Sequence, residues 1–175
     1  SGTEEHPIVY HSLEPLGAVI TGSEVIKNWE EYQGNVWKVK IPNGIFGDYN
    51  PYTMELMGDW YYSEKCLHTG EVYLNGKSMY EDDCLEEVLS PKQFTVYKWF
   101  TCQEDNNTVI YANFQGANPN LETVEINVRR NCFYPSKTGI NYITLSGFTV
   151  KQAATTWAPP TAYQEGMIGP HWSKG

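Results

Sequence analysis

Little in this sequence points to a covalent staple, a membrane or a polyanionic partner. It holds 4 cysteines in 175 residues, Cys66, Cys84, Cys102 and Cys132, and no two form a CxxC pair. Zinc-ligand spacing is missing, so no metal site is expected. A chain this long buries about 70% of its unfolded surface and can dispense with disulfides, so free thiols are expected. No apolar run approaches the ~20 residues of a spanning helix. Basic residues are scarce, 12 against 21 acidic ones, and the formal charge of −9 disfavours both nucleic acid and anionic membranes as partners. Nucleophile elbow, P-loop, HExxH and dinucleotide fingerprint are all absent, and no cofactor is expected. His6, His11, His68 and His171 have no Cys or Ser partner at a telling spacing. No two carboxylates can be paired by spacing into the acid pair a glycosidase needs. No residue is therefore assigned a catalytic role.

What is abundant is aromatic. Phe, Trp and Tyr make up 14% of the chain, with 13 Tyr and 6 Trp. The local patterns are those of strands. Val36 to Ile41 alternates, with Trp37, Val39 and Ile41 on one face and Lys38 and Lys40 on the other. Asn75-Gly76, between Val72–Leu74 and Lys77–Tyr80, predicts a type I′ hairpin. Phe94 to Cys102 and Thr108 to Phe114 read as strands joined at Asp105–Asn107, and Val124, Ile126 and Val128 alternate inward. Strands at this spacing suggest a β-sandwich. One helix is predicted over Asp82 to Leu89, led by acidic residues and stopped by Ser90-Pro91.

The outer segments differ. Ile8 to Tyr10 and Ala18 to Thr21 are short β runs, and Ile140 to Lys151 reads strand, tight Ser146-Gly147 turn, strand. That is how one rung of a parallel β-helix is written, although a hairpin would look the same. The two outer segments are expected to pair across the sandwich.

Candidate ligand contacts come from the aromatic clusters: Phe46 to Tyr52, Asp59-Trp60-Tyr61-Tyr62, Trp157 to Thr161 and His171-Trp172. Three consecutive rings cannot all face one core, so part of the 60–62 run is expected to be exposed. A tryptophan beside a carboxylate suits a sugar, whose CH faces stack on the ring while its hydroxyls bond the acid.

Taken together, GNVWKVKIPN (34–43), FGDYNPY (46–52), GDW (58–60), GEVYLNGKSMYE (70–81), VEINVRRNCFYP (124–135), TGINYITLSGF (138–148) and WAPPTAYQEGMIGPHWSKG (157–175) resemble a bacterial β-xylosidase family. That family is built on a right-handed parallel β-helix with an inserted immunoglobulin-like domain. The resemblance implies an all-β chain: residues 1–26 as opening β-helix strands, 27–134 as the inserted sandwich, and 135–175 as the next, truncated rungs. It implies a fragment of a glycoside hydrolase acting on β-xylosides or xylo-oligosaccharides by a retaining mechanism. The catalytic carboxylates would lie beyond Gly175. Trp60 and Asp59 would contact xylose or a xylo-oligosaccharide, His171 and Trp172 would border the cleft, and the parent would be a homo-oligomer. The alternative is a carbohydrate-binding or subunit-assembly sandwich without catalysis. Ser1-Gly2 in place of methionine and the abrupt Gly175 suggest that both ends are cuts, which leaves the compartment open.

Overall fold

The computed structural model describes residues 1–57, 64–92, 96–154 and 165–175. In chain order the described elements are β1 (Ile8–His11), β2 (Ala18–Thr21), β3 (Ser23–Val25), β4 (Glu30–Gln33), β5 (Val36–Pro42), a 3-10 turn (Asn43–Phe46), β6 (Val72–Leu74), β7 (Lys77–Ser78), β8 (Tyr80–Glu81), α1 (Leu85–Leu89), β9 (Lys98–Glu104), β10 (Asn107–Asn113), β11 (Val124–Asn127), β12 (Ile143–Ser146) and β13 (Phe148–Lys151). Among the described residues the fold is all-β apart from these short turns of helix.

Two sheets form the body, in the orders β4-β5-β10-β9-β8 and β3-β11-β6-β7. The alternation along β5 does what the sequence predicts: Val39 and Ile41 enter the core, and Trp37 packs against it. The Asn75-Gly76 turn joins β6 to β7 with φ of 51° and 79°, the doubly positive geometry of a type I′ turn. Between the sheets lie Trp29, Phe46, Tyr52, Val72, Trp99, Ile110, Phe114, Val124 and Ile126, all buried. Tyr52 and Trp99 meet edge to face at 5.7 Å, as do Trp29 and Phe114 at 5.1 Å. Each large side chain withdrawn from water this way contributes about 1.5–3 kcal/mol before entropy is subtracted.

The outer segments do pair, in parallel. Ile8–His11 runs beside Ile143–Ser146, and Ala18–Thr21 beside Phe148–Lys151, each in continuous register. The turn between β12 and β13 rests on Gly147, whose φ is 76°; a Cβ there would also sit 3.3 Å from the Ser12 carbonyl oxygen.

Three details depart from the sequence reading. The helix begins at Leu85, because Glu81 and Asp82 are engaged elsewhere and the N-cap, Cys84, makes no side-chain cap bond. β9 begins at Lys98, and residues 93–95 fall outside the described set. β11 is buried on both faces: Glu125 and Asn127 are covered as thoroughly as Val124 and Ile126. The four cysteines are free thiols, as expected.

Candidate functional site

The aromatic loop at 46–52 is core rather than ligand surface. Phe46, Tyr49 and Tyr52 are all buried, because the 3-10 turn folds them back onto the sandwich. Tyr49 ties the loop to distant parts of the chain. Its hydroxyl is 2.9 Å from the Thr69 hydroxyl and donates to the Ala154 carbonyl, also at 2.9 Å. The Arg130 guanidinium lies over the Tyr49 ring at 4.3 Å and pairs with Glu165 at 3.5 Å. Ala154 and Glu165 flank residues 155–164, so one tyrosine–arginine stack holds both flanks of that segment.

Thr69 ends a two-armed stem. Leu56 N–H donates to the Leu67 carbonyl and Thr69 N–H to that of Met54, with Glu55 and His68 facing each other in an antiparallel bridge. Residues 58–63, with Asp59 and Trp60, lie between the arms in sequence and outside the described residues. Glu81 anchors the stem twice: it accepts from the His68 backbone N–H at 2.6 Å and faces His68 Nδ1 at 2.6 Å. A carboxylate only accepts, so Nδ1 carries the hydrogen. Next to it, Asp82 takes Lys65 Nζ at 2.5 Å and Lys98 Nζ at 2.6 Å. Burial alone would raise the Asp82 carboxyl, but the two ammonium groups prevail and bring it down to about 2. Asp82, Asp83 and Cys84 could converge on a metal ion, but lysines already occupy both oxygens of Asp82.

A second polar cluster joins the sandwich to the outer strands. Glu125 accepts from Ser23 Oγ at 3.0 Å and Gln152 Nε2 at 3.0 Å, and Lys151 Nζ stands at 3.4 Å. Burial raises its carboxyl, yet these donors hold it below the ordinary glutamate range. Sequence reasoning passed over Glu125. The available signal was a carboxylate and an amide, Glu125 and Asn127, alternating with the apolar residues of a strand: a polar face with something to bond.

The remaining predicted contacts lie at the end of the outer segment. The His171 ring is 6.1 Å from that of Tyr134, and its carbonyl accepts from Gly139 N–H. Trp172 is 83% exposed, in a left-handed backbone with φ of 54°. Nearby, a cavity of about 520 Å³ is walled by Tyr10, Phe133, Tyr134, Tyr142, Leu145 and Ile168, so it is largely apolar. His171 and Trp172 stand outside its lining. The predicted contacts Asp59 and Trp60, like the loop at Trp157, fall outside the described residues, so the structure does not relate them to His171 and Trp172.

The architecture thus defines a class: a two-sheet module, antiparallel except where β8 runs parallel to β9 at one edge, set between strand pairs that run parallel. Residues 26–126 match the family model of the glycoside hydrolase 120 insertion domain, and the chain belongs to that family. It is also similar to a solved structure described as the complex of XylC with xylose, at 45% sequence identity and a TM-score of 0.89. That likeness covers 96% of this chain and 30% of the XylC chain, so the chain spans under a third of its relative's length. No curated protein matches it.

Proposed function

We propose that the chain is part of a glycoside hydrolase acting on β-xylosides or xylo-oligosaccharides. Residues 27–134 serve as its insertion domain, and residues 1–26 and 135–175 as adjacent rungs of a right-handed parallel β-helix. One observation carries this reading: the match to the insertion-domain family, extended along nearly the whole chain by a structure solved with xylose. The parallel pairing of β1 with β12 and β2 with β13 supports the rung assignment, since stacked parallel strands are what successive rungs produce.

The chain's part is to shape the sugar site. Trp60 offers a ring to the pyranose and Asp59 a carboxylate to its hydroxyls, with His171 and Trp172 bordering the cleft. Tyr49, Arg130 and Glu81 hold the described residues that flank these loops. The catalytic carboxylates belong to the portion of such an enzyme outside the matched 30%. The complete enzyme works as a homo-oligomer. A free-standing sugar-binding or assembly module accounts less well for a match to the insertion domain of an enzyme.

The test is turnover of an aryl β-xyloside by the product of the complete gene, beside residues 1–175 expressed alone. The complete product should turn over, and Trp60→Ala should weaken its sugar site by about 2 kcal/mol. Equal turnover by residues 1–175 alone would overturn the placement of the catalytic pair.

A further inference from the structure

The outer face of the five-stranded sheet, turned away from the sandwich core, carries a row of rings. Tyr32 of β4 meets Tyr111 of β10 edge to face with ring centroids 4.9 Å apart, and the Tyr111 centroid lies 6.2 Å from that of Phe100 of β9. Tyr32 reaches across β5 because the β4–β5 register breaks between Glu31 and Gln33, and such bulges re-aim the extra side chain. Tyr32 is 44% exposed, and Tyr111 and Phe100 are only partly covered. The charges on this face neutralise one another: Lys38 pairs with Glu30 at 3.8 Å and Lys40 with Glu104 at 2.8 Å.

The row leads toward a neutral polar pocket. Asn113 follows Tyr111 by two positions on the same face of β10, and Gly34-Asn35 closes the hairpin that Tyr32 opens. With Gln115, Leu89, Ser90 and Pro91 these residues wall a cavity of about 570 Å³ that has no charged side chain in its lining. Asn113 is committed, donating to the Val88 carbonyl and accepting from Gln115 N–H. Asn35 makes no side-chain hydrogen bond among the described residues, and Gln115 Nε2 is buried without a partner. An orphaned buried donor costs free energy that an incoming acceptor would relieve.

We propose that this face is a second carbohydrate site, binding a stretch of xylan chain through the Tyr32–Tyr111–Phe100 row and the Asn35–Gln115 pocket. Rings beside neutral carboxamides, with Lys38 and Lys40 of the face each paired to a glutamate, suit an uncharged polyhydroxylated chain. An anionic polymer would find no free cation in the pocket. The choice of xylan rests on the enzyme reading above; the site is separate from Trp60 and would tether polymer near the enzyme.

The experiment is native electrophoresis of residues 1–175 through gels with and without soluble xylan. Tyr32→Ala, Asn35→Ala and Trp60→Ala run beside wild type, and polygalacturonate serves as the anionic control. Tyr32 and Asn35 are exposed, so these variants keep the fold. Wild type should be retarded by xylan, with the association weakened about fivefold by Tyr32→Ala and by Asn35→Ala and unchanged by Trp60→Ala. No retardation, retardation indifferent to Tyr32 and Asn35, or equal retardation by polygalacturonate would each overturn the proposal. Loss confined to Trp60→Ala would overturn it while supporting the site proposed for the enzyme. Normal retardation together with a Trp60→Ala enzyme of unaltered xyloside turnover would support the sheet-face site and count against the Trp60 reading.

Discussion

The hydroxyl of Tyr49 donates to the carbonyl of Ala154 at 2.9 Å, across more than a hundred residues of chain. The same oxygen meets Thr69 Oγ1, so one phenol ties the stem before Gly70 to the strand pair that ends at Lys151. Tyr49→Phe keeps the ring under Arg130 and removes only this bridge. It should cost about 1–2 kcal/mol in denaturant unfolding, since the Ala154 carbonyl loses a buried donor. An unchanged midpoint would show that water replaces the phenol without loss.

Asp82 sets an acid limit. Its carboxyl sits at about 2 in the folded chain, below the ordinary aspartate value of 3.8. The stabilisation is therefore fully present above about pH 4 and is lost as pH falls through about 2. Asp82→Asn should remove about 2 kcal/mol at neutral pH and flatten the acid limb of the stability profile. An acid limb of the same steepness in both proteins would assign the acid sensitivity to other groups.

Glu125 joins two parts of the fold. Glu125→Ala would leave Ser23, Lys151 and Gln152 without their shared acceptor, and should destabilise by about 2–3 kcal/mol. Its carboxyl is also held below the usual range, so this contribution fades as the glutamate protonates in acid. Glu125→Gln should recover part of the loss, as the amide oxygen still accepts. Amide hydrogen exchange would report it: protection should fall at β3 and β13 before it falls at β10.

At Gly22 two backbones approach closely. A Cβ there would lie 2.6 Å from Ala153 Cα and 2.6 Å from the Gln152 carbonyl oxygen. Its own carbonyl accepts from both Val128 and Arg129 N–H, so the backbone has little room to retreat. Gly22→Ala should cost about 2–3 kcal/mol, while Gly44→Ala, which meets nothing within 4 Å, should stay near neutral. Thermal unfolding of both variants is the check.

The thiols give a direct count. All four cysteines are free, and burial pushes the Cys102 and Cys132 thiols up. Without reductant, the denatured chain should release four equivalents on thiol titration, and the native chain should react more slowly at these two positions. Fewer than four would mean a disulfide.

Much of the architecture could be read without coordinates. Binary alternation set β5 and β11, Asn-Gly set the β6–β7 turn, and a Ser-Gly step between two short apolar runs set the β12–β13 corner. These signals are local: each follows from the side-chain period of a strand or from the few residues that tolerate positive φ. The resemblance of the longer motifs placed the family, and the match over residues 26–126 agrees with it. The aromatic loop at 46–52 shows the limit. Its composition reads equally as ligand surface or core, and only the fold-back onto Trp99 makes Tyr52 a core residue.

What the sequence determined by itself was therefore the elements, the all-β class and the family, because those depend on periodicity, turn chemistry and motif. The tertiary structure decided which polar residues act together. Tyr49 with Ala154, His68 with Glu81, Asp82 with two lysines and Glu125 with Gln152 are separated by 13 to 105 positions. No local rule links such residues, since their partnership arises only when packing removes water and leaves each buried charge or donor to bond whatever the fold has brought beside it.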